Sequence, residues 1–241
     1  MNTLQNRLDE FITNKPSFIT NCANHGESVS AYANGKCIAC EGAFKRIKIE
    51  KDILNYKQEL ISLANIPKRY LDKNFDNYEE LTNDHKVFKY QIQHGYNKKQ
   101  NLILAGNTGT GKTHLAISLL KKLIMEHDLN SSNQITKLGY YAKYYNLSSL
   151  KIESYKLFNE IINCNYLIID EFGTNDTDFK ERVLFEIIDK RYDNYLSTIL
   201  ITNATVKEFK NKLTDMTYSR IRQNAMLLET KHQDYRINYQ D

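Results

Sequence analysis

The chain contains the octapeptide Gly106-Asn107-Thr108-Gly109-Thr110-Gly111-Lys112-Thr113. An apolar run at residues 102–105 precedes it, and apolar residues repeat at helical spacing from Leu115 onward. Its three glycines let the backbone adopt φ > 0, so that successive N–H groups can surround a phosphate at the positive end of a helix. We therefore predict a phosphate-binding loop at residues 106–113, with His114 beside it.

Two residues of this loop carry specific chemistry. Lys112 is predicted to reach the β- and γ-phosphates of ATP, and the Thr113 hydroxyl to ligate Mg²⁺. The acids expected to work with them follow an apolar run at residues 166–169. A buried parallel strand delivers its last residues to the edge of the sheet where ligands bind, so Asp170 can join the Mg²⁺ shell. Glu171 is then placed to polarise a water molecule against the γ-phosphate.

A third polar residue follows a strand at the same edge of the predicted sheet. Asn203 comes directly after the apolar residues 198–202, where an amide could position the attacking water. An asparagine after a strand is also a common turn residue or helix cap, which is the alternative interpretation.

The whole pattern from residue 66 onward alternates strands and helices and predicts a mainly parallel sheet covered on both faces. Strands are predicted at 101–105, 138–142, 166–170, 198–202 and 226–229. Helices are predicted at 84–94, 112–126, 144–150, 153–163, 179–196, 207–213 and 215–222, and before the boundary at 44–63. The predicted domains are a small α-rich module at 1–65, which begins with a short amphipathic helix, and an α/β domain at 66–241.

Cysteines and a histidine cluster in the smaller module. The pairs Cys22-x-x-His25 and Cys37-x-x-Cys40 have the spacing of two tight knuckles that hold one tetrahedral Zn²⁺ ion. Unrelated reduced thiols beside a surface histidine are the alternative interpretation. Cys164 stands apart before an apolar strand and is predicted to be a buried core thiol.

Composition limits the classes of protein that fit. The chain has 241 residues, 41% hydrophobic content, a mean hydropathy of −0.59 and a net charge of +4. No apolar stretch approaches the ~20 residues of a membrane span. The N-terminus lacks the apolar core of a secretion signal. We expect a cytoplasmic protein with no membrane partner, whose mild positive charge is compatible with nucleic acid.

Together these motifs resemble the AAA+ ATPases, and among them the bacterial and phage replicative helicase loaders of the DnaC/DnaI type. The similar segments are residues 66–70, 74–78, 106–116, 167–173, 201–203 and 219–221. The resemblance implies an AAA+ P-loop ATPase core without a C-terminal helical lid. It also implies that residues 66–70 lie along the adenine.

The resemblance further implies roles that spacing alone does not. Asn203 would be the sensor 1 residue, Arg220 an arginine finger acting on ATP in an adjacent subunit, and Arg236 the sensor 2 arginine. For an arginine taken alone, a surface salt bridge is the usual role. A finger that acts in trans implies self-association through the ATP site.

The function implied is ATP-dependent loading of the replicative hexameric DNA helicase onto single-stranded DNA during replication initiation, by an ATPase that is weak unless stimulated. The zinc module would engage the helicase, and DNA would lie near Lys143, Tyr144 and Tyr145. Two alternatives stay open. One is a transposition helper ATPase that acts with a transposase on DNA, and the other is a zinc-bearing adaptor that binds ATP but hydrolyses little of it.

Overall fold

The computed structural model describes residues 18–24, 26–30, 37–128, 137–173 and 177–230. These residues belong to two compact units, which divide between Tyr56 and Lys57. The predicted amphipathic helix near the N-terminus, His25 and Arg236 lie outside the described residues. No helix in the described ranges is both long enough and apolar enough to cross a membrane.

The first unit contains a two-stranded antiparallel hairpin and the start of a long helix. The strands are β1 (Phe18–Cys22) and β2 (Gly26–Ser30), and the helix is α1 (Ile38–Ser62). The helix was predicted to begin at residue 44 but begins six residues earlier. The Cys40 N–H donates to the Cys37 sulfur at 3.2 Å, in the manner of a helix cap. The second cysteine pair therefore lies at the start of this helix.

The second unit is built on a five-stranded sheet. Its strands are β3 (Asn101–Gly106), β4 (Gly139–Lys143), β5 (Tyr166–Phe172), β6 (Ser197–Thr202) and β7 (Ala225–Thr230). They are arranged in the order β4-β5-β6-β3-β7, and every neighbouring pair is parallel. The predicted parallel sheet is confirmed.

The connecting helices alternate with the strands as predicted. They are α2 (Asn83–Tyr90), α3 (Lys112–Met125), α4 (Tyr144–Glu153), α5 (Tyr155–Ile162), α6 (Asp178–Asp193), α7 (Val206–Asn211) and α8 (Asp215–Arg222). A short 3-10 turn, Lys68–Tyr70, precedes α2, and a π-helical turn, Gln91–Gly95, follows it. Ser154 separates α4 from α5 because its side chain accepts the Leu157 N–H as a helix cap.

The two faces of the sheet carry separate hydrophobic cores. Leu102, Leu104, Ile168 and Ile199 face α2, α3 and the end of α1. The residues that alternate with these along the strands point to the other face and pack against α4 to α8, namely Ile103, Leu167, Ile169 and Leu200. This period-two alternation in strands that are buried on both sides gives a three-layer α/β/α domain. The predicted core thiol, Cys164, is only 2% exposed and lies in the second core, as predicted.

Candidate functional site

The predicted phosphate loop connects β3 to α3, and its glycines adopt conformations that other residues rarely take. Gly106, Gly109 and Gly111 have φ values of 117°, 73° and 80°. A Cβ atom added to Gly106 would lie 2.0 Å from the Thr230 carbonyl oxygen, and one added to Gly111 would lie 2.6 Å from the Tyr78 ring. The glycines are therefore required both for the turn and for close contact with neighbouring elements.

Lys112 begins α3 and points back into this loop. Its side chain is buried, and Nζ donates to the Gly106 carbonyl at 2.7 Å and to Thr110 Oγ1 at 3.3 Å, besides the Asn107 carbonyl. The loop thus surrounds an ammonium group with backbone at the positive end of a helix, an arrangement that favours an anion.

Two hydroxyl groups meet the buried carboxylate of Asp170. Thr113 Oγ1 donates to Asp170 Oδ2 at 3.0 Å, and the Tyr141 hydroxyl donates to the same oxygen at 2.7 Å. Burial and the neighbouring charge of Asp170 raise the pKa of Tyr141, so its hydroxyl stays protonated and donates. Asp170 and Thr113 together offer hard oxygen atoms, the ligands that Mg²⁺ prefers.

Glu171 follows Asp170 at an irregular point of β5. Its φ is 59°, and the pairing of β5 with β6 shifts register between Ile169 and Phe172. Its Oε1 atom pairs with Lys143 Nζ at 2.9 Å. Although burial lowers the pKa of Lys143, its bonds to Glu171 and Tyr145 outweigh that effect and raise it. The side chain of Glu171 is therefore turned towards the end of β4.

Asn203 is brought to the loop by the position of β6 between β5 and β3. The Gly106 N–H donates to the Ala204 carbonyl at 3.0 Å. On the other side, Thr202 Oγ1 donates to the Phe172 carbonyl at 3.1 Å. These bonds link the end of β6 to the phosphate loop and to the acidic strand.

One cavity of about 500 Å³ unites these groups. Its lining includes residues 108–113 of the phosphate loop and the predicted catalytic residues Lys112, Asp170, Glu171 and Asn203. Pro67, Arg69 and Tyr70 form part of the same wall, which places this part of the predicted adenine-side segment beside the acids. A smaller cavity of about 130 Å³ adjoins the other side of the loop and is lined by Tyr78, His85 and His114, among others.

Two other predicted positions lie away from this cavity. Arg220 is on α8, where Nε pairs with Asp189 at 2.6 Å and the guanidinium lies over the Phe185 ring at 5.2 Å. It is not in the lining of its own chain's cavity. Among the predicted DNA contacts, Tyr144 is only 1% exposed and packs edge-on against Phe172. Stacking of a base on Tyr144 was therefore a wrong prediction, whereas Tyr145 is exposed.

Three cysteines of the predicted zinc site lie together. The ligand atoms of Cys22, Cys37 and Cys40 are all within 4.8 Å of one another. Sulfur atoms around a tetrahedral zinc ion lie roughly 3.8 Å apart, given Zn–S bonds of about 2.3 Å. The Cys22 and Cys40 sulfurs lie 3.5 Å apart, so the donor set and its spacing fit zinc with small adjustments.

Some residues of the site were missed in the sequence. Tyr141 donates a hydrogen bond to Asp170, and Thr202 links the ends of β5 and β6. The only signal was strand alternation, which puts Tyr141 and Lys143 on one face of β4. The residues that Tyr141 and Lys143 contact could not be predicted, because these contacts depend on the parallel register that places Lys143 opposite Asp170.

Comparison with protein families identifies the second unit. The model of the family described as IstB-like ATP binding protein matches residues 57–240. The chain belongs to this family. A comparison with curated protein sequences gives no significant match. The geometry of the loop and this membership agree that the IstB-like chain binds ATP.

Solved structures with the same fold include proteins of DNA replication. The DnaC helicase loader is 25% identical, with a TM-score of 0.56, over 68% of this chain and 100% of that one. DnaI is 17% identical, with a TM-score of 0.54, over 69% and 95%. A protein from Streptococcus pyogenes serotype M3, described as a putative primosome component, is 18% identical, with a TM-score of 0.53, over 72% and 96%. The IstB-like chain thus has the AAA+ P-loop fold of DnaC/DnaI-type loaders.

Proposed function

We propose that this protein hydrolyses ATP and uses the energy to load a replicative hexameric DNA helicase onto single-stranded DNA. The observation that carries the ATPase part is the meeting of Lys112, Thr113, Asp170, Glu171 and Asn203 around one cavity. These residues come from a loop and two strand ends far apart in the sequence. Their convergence supplies a phosphate site, a cation site and a base in the same space.

Each residue has a defined part in the proposed reaction. Lys112 and the loop N–H groups bind the phosphates, and Thr113 and Asp170 hold Mg²⁺. When bound, Mg²⁺ would neutralise charge on the β- and γ-phosphate oxygens. Glu171 accepts a proton from the attacking water, and Asn203 orients that water.

Arg220 is proposed to complete the site of a neighbouring copy. An arginine stabilises charge on the transferring phosphoryl group. Its place on α8, outside the cavity of its own chain, supports action in trans and hence self-association. Arg236 remains a predicted sensor residue. An isolated protomer would then be a weak ATPase, and its turnover would rise in the assembly with helicase and DNA.

The smaller unit is proposed to bind Zn²⁺ through Cys22, Cys37, Cys40 and His25 and to engage the helicase. The cluster of three thiols supports the metal. The likeness of the other unit to the DnaC helicase loader supports the helicase as partner. We also propose single-stranded DNA as a ligand of the assembly, with Lys143 and Tyr145 near it, since an exposed aromatic ring beside a cation suits a base and its phosphate.

Transposition is the second candidate function, and the match to the IstB-like family favours it. In that role the ATPase would assist a transposase on duplex DNA. The two roles share the ATP site and differ in partner.

The deciding experiment offers the full-length protein its two candidate partners. Purified replicative helicase and purified transposase from the same source are each tested for binding, with ATP and with single-stranded or duplex DNA. Loading predicts binding of the helicase and ATPase stimulation by single-stranded DNA. Binding of the transposase alone, with stimulation by duplex DNA, would replace loading with transposition.

A second measurement tests hydrolysis itself. Glu171→Gln should keep ATP binding and lower stimulated turnover by about 10²-fold to 10⁴-fold, as loss of a general base does. Unchanged turnover would contradict the assigned mechanism. Absence of hydrolysis in the wild-type assembly would instead favour an ATP-binding adaptor.

A further inference from the structure

The 3-10 turn Lys68–Tyr70 forms a wall of the ATP cavity that the proposed mechanism does not use. Pro67, Arg69 and Tyr70 line this cavity together with Lys112 and Asp170. The turn is closed by the Tyr70 N–H, which donates to the Pro67 carbonyl at 2.8 Å. This bond shapes the backbone of the turn, which lies beside the phosphate loop in the lining of the cavity.

Lys121 anchors this turn to the helix that begins in the phosphate loop. Its Nζ donates to the carbonyls of Tyr70 at 3.0 Å, Leu71 at 2.9 Å and Lys73 at 2.6 Å. Lys121 belongs to α3, whose first residue is Lys112. One ammonium that satisfies three carbonyls fixes the position of the turn relative to the phosphate loop.

Arg69 is the cation that the turn presents to the cavity. Its guanidinium lies 4.5 Å from the centre of the Tyr70 ring and donates to the Tyr70 hydroxyl. Within the part of the chain that the structure describes, Arg69 makes no ion pair with a carboxylate. Two lysines of the same lining do so: Lys73 pairs with Asp72 at 3.1 Å, and Lys143 pairs with Glu171 at 2.9 Å.

An arginine placed in this way suits a phosphate. Its planar fork can bind two oxygen atoms at once, and stacking on Tyr70 reduces the freedom that it loses on binding. Its charge is not neutralised by a carboxylate of the described residues, so a phosphate would not have to displace an acid. The phosphate loop lines the same cavity, and in the proposed function it binds the phosphates of ATP.

We propose that Arg69 binds the triphosphate chain of the ATP held by its own chain, and that Lys121 is the positioning residue that keeps Arg69 there. This inference rests on the proposed ATPase. It gives each site a further arginine, supplied in cis, besides Arg220 of a neighbour and the predicted sensor residue Arg236.

The test compares nucleotides that differ only in their phosphates. Affinities of the full-length protein for Mg-ATP and for AMP are measured by competition with a fluorescent ATP analogue. Arg69→Ala should weaken ATP binding by about tenfold or more, as loss of a charged hydrogen bond does, and leave AMP binding unchanged. Arg69→Lys should fall between, since it keeps the charge but loses the fork. Lys68→Ala is the matched control, because Lys68 is exposed on the same turn and does not line the cavity.

Lys121→Met should give the same selective loss of ATP affinity, with Lys122→Met as the control on the same helix. Equal loss of ATP and AMP, or no loss, in Arg69→Ala would overturn the assignment of Arg69. Retention of full ATP affinity in Lys121→Met would overturn the role of Lys121. Failure of the proposed function is seen separately, in stimulated phosphate release by the wild-type protein, because loss of hydrolysis would leave ATP affinity and the comparison of ATP with AMP intact.

Discussion

Glu171 has a left-handed backbone and an ion-paired side chain at the position where the proposed reaction needs a free carboxylate. A residue other than glycine at a φ of 59° costs about 1–3 kcal/mol, which the surrounding sheet must offset. The irregular pairing of β5 turns this side chain towards Lys143. The proposed base is thus held by a cation until it acts.

Removing that cation should raise basal activity. In Lys143→Met the carboxylate of Glu171 loses this ion pair and becomes more mobile. We expect unstimulated ATP turnover to rise by up to about fivefold, since a partly exposed ion pair is worth up to ~1 kcal/mol. Steady-state phosphate release by the full-length protein measures it, with Lys151→Met as a control ion-pair variant on α4. A fall in basal turnover would show that Lys143 assists the reaction instead.

Among the elements, the segment formed by β3, the phosphate loop and α3 depends most on the backbone conformation of individual residues. Gly106 touches the last residue of β7, because its missing side chain leaves room for the Thr230 carbonyl. The phosphate loop is therefore built against two neighbouring strands, β6 through Ala204 and β7 through Thr230.

A methyl group at Gly106 should disrupt this connection. Gly106→Ala adds a Cβ atom 2.0 Å from the Thr230 carbonyl at a φ of 117°, so we expect lost ATP binding and destabilisation of at least about 1–3 kcal/mol. Gly42→Ala is the control, because among the described residues its added Cβ meets nothing within 4 Å apart from the local backbone of α1. It should be neutral or stabilising by up to ~1 kcal/mol. Chemical denaturation measures both, and similar effects of the two substitutions would contradict the expectation.

The packing of α6 on the sheet depends on a buried arginine. Arg191 is 1% exposed, and its guanidinium donates to Thr198 Oγ1 and to the carbonyls of Ile162, Cys164, Asn165 and Ser197. Burial lowers the pKa of Arg191, yet the guanidinium stays charged. It joins the end of α5 to the starts of β5 and β6.

Lysine cannot make all the hydrogen bonds of the Arg191 guanidinium group, whose planar fork carries several N–H donors. In Arg191→Lys several buried acceptors lose their donor, so we expect the free energy of unfolding to fall by about 3–5 kcal/mol. Arg182→Lys on the exposed face of the same helix should change it by less than about 0.5 kcal/mol. Urea denaturation of the two variants measures this difference. A fall in the free energy of unfolding below ~1 kcal/mol in Arg191→Lys would contradict the importance of the guanidinium group.

For the molecule as a whole, the two compact units differ in what can stabilise them. Residues 57–241 have two extensive hydrophobic cores around a sheet. The described part of residues 1–56 has a hairpin, part of a helix and a cluster of three thiols. Small units of this kind commonly depend on a metal.

Loss of the metal should therefore affect one unit and spare the other. The double variant Cys37→Ser/Cys40→Ser should lose bound zinc, while its ATP affinity stays within about twofold, since the thiols and the ATP cavity belong to separate compact units. Metal analysis and nucleotide titration of the full-length protein measure both. Cys164→Ala should keep the zinc, because this thiol lies in the core of the other unit. Stoichiometric zinc in the double variant would contradict the proposed ligands.

Much of the fold and part of the site could be predicted because their signals are local. The apolar strands, the glycine pattern of the loop and the acids after residue 169 are each contained in a few consecutive residues. Predicted bounds of elements shifted where a cap decided them, as at Cys37 and Ser154. Tyr144 was assigned to DNA because its type suits stacking, whereas burial is decided by distant neighbours such as Phe172.

The order of residues along the chain determined the P-loop, the alternation of strands and helices, and hence the nucleotide as ligand. Only the tertiary structure decided that β6 lies between β5 and β3, that Lys143 pairs with Glu171, and that Lys121 holds the turn of Arg69 beside the phosphate loop. The physical reason is the separation along the chain of the residues that interact. Glycine conformation and strand periodicity act between neighbours in sequence, while ion pairs and hydrogen bonds between elements depend on strand order and register, which no short segment contains.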